Sequence, residues 1–192
     1  FTLVVPGILA AGIGQINLLI GTSIATGQPG AAAWLYYADR LYQLPMGVIG
    51  VALAVALLPD LTSRIARADH AGARASQDLA VTLAMLLTLP AAFGLYVLVD
   101  PIINVLFERG AFSAADTRAT AVGLQFFCIG LPAFVLIKAL QPFFFARQDT
   151  RSPFIDGAVG VAANITLSLS LFGYMGHVAI ALATAVAGWL TV

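Results

Sequence analysis

The chain has 192 residues, of which 60% are hydrophobic and only 9% charged, with zero net charge and a mean hydropathy of +0.96. Soluble domains carry roughly 25% charged residues, so this chain is read as solvated by lipid, and its neutral balance gives no reason to expect a nucleic-acid partner. The single Cys128 excludes an internal disulfide and a cysteine-based metal cluster.

Phe1 in place of Met, and Val192 inside an apolar run, point to a segment of a longer polypeptide. Residues 1–10 lack the basic flank and small-residue cleavage site of a signal peptide. They are read as the start of a spanning helix. A crossing helix needs about 20 apolar residues, and residues 1–38 hold no charge but are interrupted by the turn cluster Thr26-Gly27-Gln28-Pro29-Gly30. Helix one is therefore predicted at about 3–26 and helix two at about 33–58.

Within helix two, Asp39 and Arg40 are flanked by charge-free sequence from Phe1 to Ala38 and from Leu41 to Pro59. Intramembrane charges are costly and generally face a bundle interior or a wet cavity. The planar fork of Arg40 can hold a phosphate or carboxylate at two points; a structural pair with Asp39, or an arginine snorkelling to the interface, is the competing explanation. Adjacent residues on a helix diverge by about 100°, so the two need not face each other. Trp34, Tyr36, Tyr37 and Tyr42 around them read as an interfacial aromatic belt.

Leu61, Ile65 and Ala68 recur at helical spacing among arginines, consistent with a surface helix on the inner leaflet or a solvated connector. Helix three is predicted at about 78–99, ending at Asp100-Pro101, and the apolar stretch that follows is too short to span and reads as an outer interfacial helix closed by Gly110. Helix four is predicted at about 115–146, with Asp116 complementing the dipole at its start. Phe172-Gly173-Tyr174-Met175-Gly176-His177 divides the last apolar stretch into helix five, about 153–172, and helix six, about 177–192. Prolines 45, 90, 132 and 142 fall inside these spans and can kink them.

The 59–77 and 147–152 loops hold Arg64, Arg67, Arg74, Arg147 and Arg151, whereas the loops on the other side hold only Arg109. Positive-inside bias puts the first group in the cytoplasm. Lys138 in helix four is long enough to snorkel inward or to pair with a carboxylate such as Asp156. Asn164, Ser168 and Thr184 supply oxygens that could coordinate a sodium ion if brought together, although such residues more often join helices by hydrogen bonds. His70 and His177 are far apart and show no metal-ligand spacing, and no nucleophile elbow or phosphate-binding glycine loop is present. No metal, cofactor or catalytic group is expected.

Several strings carry a resemblance: Gly14-Gln15-Ile16-Asn17-Leu18-Leu19, the run from Trp34 to Val48 reading WLYYADRLYQLPMGV, Ala54 to Pro59, Leu106 to Phe112, and Phe144 to Pro153. In this order the chain resembles the MurJ (MviN) lipid II flippase family over essentially its whole length. The resemblance implies an all-α integral membrane protein whose six transmembrane helices match the seventh to twelfth of a two-lobed, MATE-like transporter bundle. It implies transport of lipid II, the undecaprenyl-pyrophosphate-linked peptidoglycan precursor, from the inner to the outer leaflet of the bacterial inner membrane by alternating access.

By that resemblance, Arg40 matches a cavity arginine facing the pyrophosphate, with Asp39 in support, and the partners are lipid II, membrane lipids and first-lobe helices of the same protein. By the same resemblance, some relatives bind sodium among the helices matching one, five and six. Here Gly21 stands where many carry Asp and Ser168 replaces another carboxylate, so Asn164, Ser168 and Thr184 are not expected to form a cation site. Two other functions remain open from the residues: a MATE-like exporter of cationic drugs, which would need cavity carboxylates, and a membrane enzyme acting on polyprenyl-phosphate lipids, which would need a base or metal carboxylates near Arg40. A non-catalytic scaffold for cell-wall assembly is a further reading.

Overall fold

The computed structural model describes residue 15 and residues 17–192. Most of the predicted helix one lies outside that range, but residues 17–25 are helical and a turn follows at 26–30. Gly30 makes this turn with φ 85°, a left-handed conformation that glycine adopts without strain.

Helix two runs without interruption from 31 to 66, as α1 (Ala31–Pro45), a π-helical segment (Met46–Val51) and α2 (Ala52–Ala66). Pro45 has no N–H to offer the carbonyl of Leu41, and the helix widens immediately after it. Proline at 45 therefore re-pitches the helix without ending it. The expected surface helix over 61–78 is not a separate element. Helix two continues past Pro59, reverses through Arg67–Asp69, and α3 (His70–Val97) begins eight residues earlier than expected.

The reversal is closed by polar side chains. Arg64 reaches Asp60 at 2.9 Å and Asp69 at 3.3 Å, the Ser76 hydroxyl donates to Asp60 at 2.6 Å, and Asp69 caps α3 by accepting from the Gly72 N–H. Leu61, 1% exposed, faces inward.

The short apolar stretch after Leu98 forms α4 (Val99–Phe107), which buries Val99 and Ile103, and Gly110 follows at φ 63°. Its end is held to the next helix: the Thr117 hydroxyl donates to Glu108 at 2.6 Å, while Phe107 and Phe112 pack on Tyr37. Next comes α5 (Ala114–Ala146), the central helix, with a Ser113–Asp116 capping box at its start. Leu124, Leu131 and Val135 on this helix are fully buried.

The last two helices are α6 (Arg151–Met175) and α7 (His177–Leu190). The predicted break across 172–177 contracts to Gly176 alone, at φ 58° and ψ −139°. Close approach of α5 and α7 depends on small residues: a Cβ on Gly130 would stand 2.8 Å from Ala185 Cα, and one on Gly188 would stand 2.8 Å from the Phe134 ring.

Among the described residues, four helices are long and apolar enough to cross a membrane: 31–66, α3, α5 and α6. At 14 residues α7 is shorter, extending roughly 21 Å at 1.5 Å per residue. Four spans among the described residues thus stand where six were expected, residues 17–25 and α7 being shorter helical segments, and α4 is a further short helix at the end opposite the Arg64 reversal. The protein is an all-α integral membrane bundle.

Candidate anion site on helix two

On α1 the residues Ala38, Leu41 and Tyr42 are buried, and this fixes the helix's rotation. Arg40 consequently points away from the bundle and is exposed, whereas Asp39 is half-buried. The two do not pair. Among the described residues the ion pairs are those of Arg64 with Asp60 and Asp69, and the Asp39 carboxylate instead accepts a hydrogen bond from the Gln43 amide one turn later. The Arg40 guanidinium lies over the Tyr36 ring, 4.8 Å from its centroid. A cation–π contact of this kind occupies no hydrogen-bond donor, and the guanidinium N–H groups remain able to bind a planar or tetrahedral oxyanion.

Of the four aromatic residues expected to form an interfacial belt, only Tyr36 is exposed. Tyr42 is buried against Phe127 and Phe134, with ring centroids 5.5 and 5.9 Å away. Tyr37 packs on Phe107 at 4.7 Å, and the Trp34 indole N–H donates to Asp116 at 2.8 Å. The belt expectation is corrected: these rings lock helix two to α4 and α5, and so hold Arg40 on a rigid element.

Asn164, Ser168 and Thr184 are brought together between α6 and α7. The Asn164 amide donates to Thr184 Oγ1 at 3.1 Å, Ser168 Oγ donates to Asn164 Oδ1 at 3.0 Å, and Thr184 Oγ1 donates to the Ile180 carbonyl at 2.8 Å. The three polar groups satisfy one another. A Cβ on Gly21 would lie 3.9 Å from Ile180, so helix one approaches α7 beside this network without bringing a carboxylate. No group of three or more His, Cys, Asp or Glu residues among the described residues could hold a metal ion.

Lys138 is half-buried and makes no ion pair with Asp156. At the far end of α5, Arg147 lies over Phe143 at 4.0 Å, and Asp149 caps α6 through the Ser152 hydroxyl at 2.6 Å and the Ser152 and Arg151 N–H groups. Those hydrogen bonds, the Ser152 hydroxyl first, hold the Asp149 carboxyl below its usual pKa. An apolar groove of about 300 Å³, lined by residues including Phe93, Tyr96, Cys128, Ile129, Pro132 and Trp189, does not include Arg40.

Sequence reasoning missed a polar clamp at the 26–30 end of helix two. Gln28 accepts the His177 N–H at 2.9 Å, the His177 ring stands edge-on to Trp34 at 5.0 Å, and His177 Nε2 meets the Ala119 carbonyl at 2.9 Å. These partners are 58 to 149 residues apart in the chain, and no local spacing announces them.

A family model described as "Lipid II flippase MurJ" matches residues 1–192. The "Probable lipid II flippase MurJ" of Rhizobium tropici is 50% identical over 188 residues, covering 98% of this chain and 35% of that protein. The protein of the same description from Rickettsia prowazekii is 38% identical over 184 residues, covering 96% and 36%. Among solved structures, "Lipid II flippase MurJ, inward closed conformation" superposes with a TM-score of 0.89 at 27% identity, covering 97% of this chain and 40% of that one. An outward-facing multidrug MATE family transporter of the MOP superfamily superposes at 0.85 with 16% identity over 97% and 41%, a likeness of fold alone. The chain spans about 35% of the length of the curated relatives it matches. With the match running from the first residue to the last, the chain belongs to the lipid II flippase MurJ family.

Proposed function

We propose that this chain forms the Arg40-bearing part of a lipid II flippase, which moves the undecaprenyl-pyrophosphate-linked peptidoglycan precursor from the inner to the outer leaflet of the bacterial inner membrane. The family's activity is transport and not catalysis. The observation that carries the reading is Arg40 itself: an exposed, permanently charged guanidinium in apolar sequence, with its neighbouring carboxylate engaged elsewhere.

A pyrophosphate crossing the membrane must shed water. The guanidinium of Arg40, resting over the Tyr36 ring, replaces part of that hydration with two directed hydrogen bonds. Asp39, by bonding to Gln43, keeps negative charge turned aside from the path. First-lobe helices from the remainder of the protein close the other wall of the cavity, and alternation between inward- and outward-open forms carries the headgroup across. The exporter reading is less well supported, because the single carboxylate beside Arg40 is occupied by an amide within its own helix.

The test is complementation of a flippase-depleted bacterium by the full-length protein. Wild type supports growth, and Arg40→Ala present at a normal membrane level does not. Normal growth with Arg40→Ala overturns the proposal.

A further inference from the structure

Lys138 is the only lysine among the nine Lys and Arg residues of the chain. It lies on α5 about two turns before the helix ends at Ala146, and it faces the π segment of helix two: a Cβ built on Gly50 would stand 3.2 Å from Lys138 Cβ and 3.4 Å from its Cγ. Glycine at 50 thus admits the lysine stem against the helix backbone. One turn earlier on the same face, Phe134 packs both on Tyr42, with ring centroids 5.9 Å apart, and against Gly188 of α7. This face of α5 therefore looks between helix two and α7, and Lys138 sits half-buried on the half of the bundle nearer the Arg64 reversal.

The ammonium has no counter-charge among the described residues, whose ion pairs both belong to Arg64. Residues 1–14 and Ile16 contain no Asp or Glu either. A charged amine inside a spanning helix is costly to keep without an anion.

We propose that Lys138 is a second anion contact for the pyrophosphate of the transported lipid, engaging it on the inner half of the membrane before Arg40 does. This inference rests on the transport reading above. Gly50 and Arg40 are ten residues apart on one continuous helix, roughly 15 Å along its axis at 1.5 Å per residue. The residue types suit a relay. A lysine is a compact, strongly hydrated point charge on a flexible stem, whereas the arginine fork holds an oxyanion at two points. The headgroup is gathered at the first contact and fixed at the second.

The full-length protein purified in detergent tests this through the reactivity of Lys138 with acetic anhydride, read by mass spectrometry of the peptide that carries it. Farnesyl pyrophosphate slows acetylation of Lys138 severalfold, and farnesol does not. Protection by inorganic pyrophosphate alone supports the contact and assigns it to the headgroup without help from the prenyl chain. Equal acetylation under all conditions, or a Lys138 that is unreactive even without phosphate, overturns the inference.

In cells, Lys138→Arg supports growth and Lys138→Gln at an unchanged membrane level does not; normal growth of Lys138→Gln also overturns it. If Lys138 is unprotected while Arg40→Ala still abolishes growth, this inference falls and the transport reading stands. If Arg40→Ala and Lys138→Gln both grow normally, the transport reading falls with it.

Discussion

The indole N–H of Trp34 donates to the Asp116 carboxylate at 2.8 Å, joining the first turn of helix two to the first turn of α5 across 82 residues of sequence. Asp116 also accepts from the Ser113 N–H at 2.8 Å and from its hydroxyl at 2.6 Å, so one carboxylate both caps α5 and fixes the N-terminal end of the helix that carries Arg40. Trp34→Phe and Asp116→Ala should each lower the thermal midpoint of the full-length protein in detergent. Because they break the same bond, the double variant should lie close to the worse single variant. Fully additive losses would show that the two residues act independently.

Transport should depend on the geometry of the Arg40 fork and not on its charge alone. Arg40→Lys keeps the charge but loses the two-point hold, so it should support growth poorly. An arginine serving only as an interfacial anchor would tolerate lysine. Growth rate of the depleted strain, with membrane levels checked by blotting, separates the two.

The Asn164–Ser168–Thr184 network should act as packing. Asn164→Ala removes two interhelical or intrahelical hydrogen bonds and should cost about 1 kcal/mol, since buried bonds of this type in membrane helices average roughly 0.6 kcal/mol each. Thermal unfolding in sodium chloride and in choline chloride should give the same midpoint for wild type, and Asn164→Ala should be lower in both. A sodium-dependent rise in midpoint that Asn164→Ala removes would instead assign these oxygens to an ion.

Topology is testable with two cysteines placed where the backbone accepts them. Gly30 and Gly72 are poor positions: an added Cβ would stand 2.6 Å from the Trp34 ring at the first and 2.1 Å from Asp69 at the second. The exposed neighbours Pro29 and Ala71 avoid both clashes. In a Cys128→Ala background, a membrane-impermeant maleimide added outside should modify Pro29→Cys and spare Ala71→Cys. The reverse pattern would invert the orientation and the direction of transport argued from it.

Apolar run length and the Thr26–Gly30 turn announced an all-helical membrane chain and the break before helix two, because a helix in lipid satisfies its own backbone and its presence follows from composition. Asp39 and Arg40 stood out for the same reason: two adjacent charges with no others for many residues on either side are conspicuous in one dimension. The reading failed where side chains outside the apolar runs decide the structure. Residues 59–77 looked like a loop or surface helix because they are charged, yet Asp60, Arg64, Asp69 and Ser76 satisfy one another and let both helices continue to a three-residue reversal.

Tertiary packing alone decided which polar groups meet. Helical periodicity puts Asn164 and Ser168 on one face, but only the approach of α7 brings Thr184 to them. Gln28 with His177, Trp34 with Asp116, and Lys138 against Gly50 are likewise products of helix rotation and of glycines that admit close contact. A sequence states the energetic demand of each polar group for a partner. The partner is chosen by the three-dimensional arrangement that buries the apolar faces first, and that arrangement turns Asp39 toward Gln43 and leaves Arg40 free at the surface.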